Sequence, residues 1–132
     1  MRSLSGDTNH TILLVDDEDL IRSIARDILE SMGYRIFEAA NGQAAVDFYF
    51  DHPGEVDLVI MDMAMPILGG RDAFLKMKER VPDVKVILAT GYTGDAKAKE
   101  LLSLGVKGFI EKPFKVEELA VLIRQVLDNG RN

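Results

Sequence analysis

Five short apolar runs alternate with segments of helical period along this chain, and that alternation decides what it can fold into. The runs "TILLV", "YRIFEA", "VDLVIM", "VKVILAT" and "VKGFI" are rich in β-branched and aromatic residues and are bounded by charged or turn-forming positions. Runs of that length and makeup read as strands buried on both faces. Strands that alternate with helices form βα units, whose right-handed crossovers build a parallel sheet. At 132 residues the chain has the size of one domain with a sizeable core, and two domains are not expected. Hydrophobic residues make up 47% of it, yet no run approaches the roughly 20 residues of a membrane-spanning helix, and the first ten residues lack the apolar centre of a signal peptide. The expectation is a soluble protein with no membrane insertion, cytoplasmic by default. The absence of cysteine removes disulfides, thiolate metal sites and cysteine nucleophiles, and suits a reducing compartment.

Residues Met1 to about His10 are polar and aperiodic, which predicts a flexible leader (1–10) before a domain over 11–128 and a tail at 129–132. The first helix is expected from Asp19 to Met32, with Ile21, Ile24, Ala25, Ile28, Leu29 and Met32 on one face, Arg22, Arg26, Asp27 and Glu30 elsewhere, and Gly33 ending it. A second helix follows Asn41 and Gly42 through Phe50 and stops at His52, Pro53 and Gly54. The third strand is read as Asp57 to Met61 and the third helix as Gly70 to Arg80, with Ala73, Phe74 and Met77 inward and Pro82 closing it. A fourth helix over about Asp95–Leu104 turns Ala98, Leu101 and Leu102 inward and ends at Gly105; a fifth, Val116–Leu127, aligns Leu119, Ile123, Val126 and Leu127.

Charged residues stand where these strands end. Asp16 and Asp17 follow the first, Asp62 follows the third, and Lys112 lies just past the fifth. In open parallel sheets ligands bind outside the carboxyl ends of the strands, so three carboxylates and an ammonium are expected along one edge. Clustered carboxylates repel one another unless a cation sits among them, and oxygen-only ligands favour a hard ion such as Mg²⁺. Phosphoryl transfer is the chemistry this implies. Singly, each residue has a plainer explanation. Asp16 and Asp17 are good helix caps, Asp62 is an ordinary first loop residue, Thr90 is a β-branched residue closing a strand, and Lys112 is a surface lysine. Their joint placement at successive strand ends is what points to a site. Thr90, followed by Gly91, offers a hydroxyl to a phosphoryl oxygen, and Lys112 precedes Pro113, the bond type with ready access to the cis form.

The ordered set Asp16 and Asp17, Asp62 with Met65 and Pro66, Thr90, and Lys112-Pro113-Phe114 closely resembles the receiver domain of two-component response regulators, over about residues 11 to 128. The resemblance implies an α/β, doubly wound, flavodoxin-like fold with strand order 2-1-3-4-5 and five helices. It implies Asp62 as the phosphorylated residue, with Asp17, Asp62 and the backbone carbonyl of Ala64 ligating Mg²⁺ and Asp16 assisting through water. Thr90 and Phe109 become the switch pair, the latter filling space that Thr90 vacates when it moves toward the phosphoryl group. Phe109 has no hydroxyl, so its inward state rests on packing. A core phenylalanine on an edge strand is the alternative reading of the same position. The partner is a sensor histidine kinase or a histidine phosphotransfer protein, because His10, in the leader, and His52, beside Pro53, make poor phosphodonors. Such a domain signals, assisting its own phosphorylation and dephosphorylation, and is not classed as an enzyme.

Some positions depart from the family's pattern. By the resemblance, Ala64 and Tyr92 take the positions that flank the approach of hydrolytic water, where Ala64 is expected not to orient the water and Tyr92 to cover it in part, and Gly69 stands where many relatives carry an acid at a helix start. The segments "ATGY" and "LGVKGFIEKPF" look more like receivers of hybrid sensor kinases than like those ahead of DNA-binding domains, and the expectation is either an excised module or a single-domain regulator that passes phosphate to a histidine phosphotransfer protein. Asp and Glu outnumber Lys and Arg 22 to 16, giving a formal charge of −6, so direct nucleic-acid binding is not expected. Lys97, Lys99 and Lys107 are read as solvated lysines. A monomer or weak homodimer is expected, with the fourth helix, fifth strand and fifth helix as the face for partners. Of a different class, an Mg²⁺-dependent aspartate-nucleophile phosphohydrolase would use the same covalent logic but needs a second acid to activate water, which Met63 and Ala64 do not provide. An FMN binder would want Gly, Ser and Thr in the first strand-to-helix turn, which is acidic here.

Overall fold

A computed structural model describes residues 10–91 and 96–129. The expected leader short of His10, Tyr92, the expected first residue of the fourth helix and the last three residues of the expected tail lie outside the described residues, as does the side chain of Lys97. The elements are β1 (Thr11–Val15), α1 (Asp19–Ser31), β2 (Arg35–Ala39), α2 (Gly42–Asp51), β3 (Leu58–Asp62), α3 (Gly70–Arg80), β4 (Val86–Thr90), α4 (Ala96–Leu104), β5 (Gly108–Glu111) and α5 (Val116–Asn129). The five strands form one sheet in the order β2-β1-β3-β4-β5, every neighbouring pair parallel. Among the described residues no helix is long and apolar enough to cross a membrane.

The strands are apolar throughout because both faces are covered. Alternation along each strand sends Ile12, Leu14, Leu58, Ile60, Ile87 and Ile110 to one side, where Ala25 and Leu29 of α1 and Leu119 and Ile123 of α5 meet them. Leu13, Val15, Val59, Met61, Val86 and Leu88 face the other side, under Val46 of α2, Phe74 and Met77 of α3 and Leu101 of α4. Burying each such Leu, Ile or Phe stabilises the fold by about 1.5–3 kcal/mol before chain entropy is counted. Carried one step further, the same alternation puts Asp16, Asp62 and Lys112 on the α1/α5 side. Thr90 falls on the opposite side, where Phe109 packs.

Several element ends differ from the sequence reading, each for a local reason. β3 starts at Leu58 because Asp57 closes on Thr11 through two hydrogen bonds: its N–H donates to the Thr11 carbonyl at 2.8 Å, and its Oδ2 accepts the Thr11 N–H at 2.8 Å. β4 starts at Val86 because Val84 N–H turns back to Val81. β5 starts at Gly108 because Val106 N–H caps α4 by donating to Leu101 O at 3.0 Å. Gly33 and Gly105, at φ 99° and 118°, end α1 and α4 in the left-handed region that glycine adopts without strain. Ile24 and Leu102, expected inward, are 52% and 48% exposed. Their helices carry a wider apolar stripe than the sheet covers.

Candidate functional site

Asp16 stands one residue past β1, Asp62 ends β3, and Lys112 follows β5. Parallel pairing brings these ends to one edge of the sheet, and the side chains converge there. Lys112 Nζ lies 3.1 Å from Asp62 Oδ2, 3.3 Å from Asp16 Oδ2 and 3.7 Å from Glu18 Oε1. Carboxylate oxygens of Asp16, Asp17 and Asp62 all lie within 4.8 Å of one another. Asp16 and Asp62 are buried, whereas Asp17 faces solvent.

Three carboxylates around one ammonium leave excess negative charge. Burial holds the Asp62 carboxyl above the usual aspartate range; the hydrogen bond and charge of Lys112 pull it down, and Asp16 pushes it up again. Burial works against the Lys112 ammonium too, but its bond to Asp62 and the charges of Asp62 and Asp16 prevail, so its pKa lies above the ordinary lysine value. The Lys112 shift reflects the carboxylates crowded around it, and the Asp62 shift reflects the cost of holding a charged carboxylate out of water. The donors are all oxygens, one of them on the water-facing Asp17. A hard divalent cation such as Mg²⁺ fits that set, whereas thiolate- or imidazole-loving metals do not.

The loop after β3 carries Ala64, which is exposed and whose N–H points at Asp62 Oδ1 from 3.4 Å. Further along, Ile67 has φ 71° and Leu68 N–H donates to Pro66 O at 2.7 Å, a three-residue turn rarely built on a β-branched residue. Gly70 opens α3 against β3: a Cβ there would stand 2.5 Å from the Asp62 carbonyl oxygen. Thr90 is half-buried at the end of β4 and its carbonyl accepts the Lys112 N–H at 2.9 Å, tying two strand ends together. The Lys112–Pro113 bond is cis. Gly91 is exposed, and no atom of the described residues lies within 4 Å of where its side chain would stand. Phe109 is half-buried, pairs with Leu88 in the sheet and lines a groove of about 420 Å³ with Glu117, Val121 and Leu122 of α5.

The capping role open to Asp16 and Asp17 is not taken. Glu18 is the N-cap of α1 and makes no side-chain cap bond, while Asp16 Oδ1 accepts the Glu18 N–H at 2.9 Å inside the turn. Gly69 caps α3, likewise without a side chain. His52 stacks on Phe48 with ring centroids 3.9 Å apart and bonds the Phe48 carbonyl at 2.9 Å. Lys99 and Lys107 are exposed. Sequence reading passed over Glu18 and Arg22. Arg22 lies off the apolar stripe of α1, yet its guanidinium folds back to the Asp16 carbonyl. Helical period reports where a Cβ points, whereas an arginine reaches a further turn from it.

Comparison with known proteins agrees with this geometry. The family described as response regulator receiver domain matches residues 12–124. The sensor kinase CckA of Brucella abortus is 38% identical over 125 residues, covering 95% of this chain and 13% of that protein. The chemotaxis protein CheY of Halobacterium salinarum is 36% identical over 116 residues, 88% of this chain and 95% of the relative. Among solved structures, a response regulator receiver domain protein from Clostridium thermocellum superposes with a TM-score of 0.87 at 26% identity, over 92% of this chain and 97% of that one. The Borrelia burgdorferi CheX–CheY complex with BeF₃ and Mg²⁺ gives 0.84 at 28% identity, over 89% and 88%.

Proposed function

The chain belongs to the response regulator receiver domain family of two-component signalling, and from that premise we propose that Asp62 accepts a phosphoryl group from a phosphohistidine on a separate protein or domain. An Asp62 carboxylate oxygen forms the new bond to phosphorus as the phosphorus–nitrogen bond to the imidazole breaks, and the electron pair leaves on the imidazole nitrogen. Asp17, Asp62 and the Ala64 carbonyl would hold Mg²⁺, with Asp16 assisting through water; when bound, the ion offsets the charge of the incoming phosphoryl oxygens. Lys112 supplies the second compensating charge, and its 3.1 Å contact with a buried Asp62 is the observation that carries this reading.

Thr90 donates its hydroxyl to a phosphoryl oxygen. A group with nearly two negative charges and several acceptors draws that side chain toward the pocket, and Phe109, on the same side of the sheet one strand over, follows into the space. The readout is the face of α4, β5 and α5, where Val121 and Leu102 are exposed. A donor delivering phosphorus to Asp62 also has to rest on the pocket's rim, and that rim carries an apolar groove of about 380 Å³ formed by Ile21, Ile24, Ile28, Pro113 and Phe114 next to Lys112. A sensor histidine kinase or a histidine phosphotransfer protein, met in the cytoplasm, suits that role.

Incubation with acetyl phosphate and Mg²⁺ followed by intact-mass measurement tests the assignment. One added phosphoryl group is expected in the parent and none in Asp62→Ala. Continuous phosphate release from small monoesters would instead identify a phosphohydrolase.

A further inference from the structure

We propose that Arg22 is a positioning residue for the acidic pocket: it clamps the peptide between Asp16 and Asp17, and Glu38 of β2 in turn holds Arg22. β1 and β2 pair up to Val15 and Ala39, and Asp16 still donates its N–H to Ala39 O at 3.2 Å. The Asp16 carbonyl is past the last ladder pair, on a residue only 4% exposed, and a buried carbonyl without a donor is costly. Arg22 Nη1 meets it at 2.6 Å, a short, charge-assisted hydrogen bond.

The rest of the guanidinium is fixed as well. Its Nε donates to Glu38 Oε1 at 2.8 Å and Nη2 to Asp19 Oδ1 at 2.8 Å, while the other Glu38 oxygen takes Arg26. The Arg22 side chain is 15% exposed, unlike the solvated pairs that contribute little. Rotating the clamped peptide would carry the Asp17 carboxylate away from its partners and loosen the turn in which Glu18 N–H meets Asp16 Oδ1. A planar fork is suited to this, since it grips a carbonyl and two carboxylates in one plane.

A rival account treats Arg22 only as a nearby cation. That account has the opposite sign: a positive charge beside the pocket repels a divalent ion, so removing it should tighten binding, whereas removing a clamp should weaken it. The Mg²⁺ readout rests on the phosphoacceptor reading above, and amide exchange without metal does not. Mg²⁺ affinity is measured by calorimetry, and exchange of the Glu18 amide by NMR in chelator, for the parent, Arg22→Met, Arg22→Lys and Arg26→Met. The clamp predicts about tenfold weaker Mg²⁺ binding and faster Glu18 exchange in Arg22→Met, the range seen when an outer partner of a metal ligand is lost. Arg22→Lys, which keeps charge but not the fork, should also bind more weakly than the parent, and Arg26→Met should match it. Unchanged or tighter binding in Arg22→Met with unchanged Glu18 exchange overturns the clamp, as does a lysine variant equal to the parent. Should the parent take up no Mg²⁺, the phosphoacceptor reading falls, and the Glu18 exchange rates then decide the clamp alone.

Discussion

The two ends of the sheet handle carboxylates in opposite ways. At the amino end, Asp57 is exposed and its Oδ2 is taken by the Thr11 N–H at 2.8 Å. Nearby, a hollow of about 490 Å³ lined by Tyr49, Phe50, Asp57, Arg80, Asp83 and Lys85 carries both signs of charge, and the Arg80 guanidinium sits 4.2 Å from the Phe50 ring centre. At the carboxyl end, Asp16, Asp17 and Asp62 crowd together, and a single ammonium, Lys112, pairs with the buried Asp16 and Asp62. An acid with its own donor is structure; acids in excess of their cations make a site that still seeks positive charge.

Packing offers the largest test of the contrast. Gly70→Ala puts a Cβ against the Asp62 carbonyl and should destabilise the fold by about 3 kcal/mol in urea unfolding. Gly54→Ala at the amino end meets nothing within 4 Å and carries only the strain of φ 78°, about 1 kcal/mol. A larger loss at Gly54 would break the comparison.

The next test dissociates stability from binding. Asp57→Ala should lose about 1 kcal/mol with its hydrogen bond to Thr11 and leave Mg²⁺ affinity as it was. Asp17→Ala, at an exposed residue, should do the reverse, keeping the unfolding midpoint and removing Mg²⁺ uptake in calorimetry.

The smallest effect concerns pH. Burial raises the Asp62 pKa, so the folded chain holds that proton more tightly than the unfolded one. Stability therefore falls as pH rises from the usual aspartate value through the raised one. In chelator at pH 7, Asp62→Asn should melt a few degrees above the parent, and the gap should close as pH falls through that window. A variant melting below the parent at pH 7 would show that Lys112 outweighs burial.

Much of this is legible in the sequence alone. "TILLV" and "VDLVIM" announce buried strands by composition alone, and the acids Asp16 and Asp62 follow from where those apolar runs stop. Strand order came from likeness to the receiver family, because period fixes faces and not neighbours. Harder to see were features that depend on reach or coverage. Glu18 approaches Lys112 across 94 positions, Arg22 doubles back to a carbonyl, and Ile24 stays exposed because no element among the described residues extends over it. Ile67 gives no sign of a left-handed backbone, since isoleucine is among the residues least suited to one.

The alternation that sends Thr90 to one side of the sheet and Asp62 to the other has a consequence for how such a chain can change in length. Removing a single residue from β4 would turn the threonine hydroxyl toward α1 and α5 and expose every apolar side chain behind it to the wrong neighbours. Strands here can grow or shrink only by twos, while the connecting loops are free of that arithmetic. Inherited insertions and deletions should accordingly gather between elements, leaving β1, β3 and β4 at constant parity.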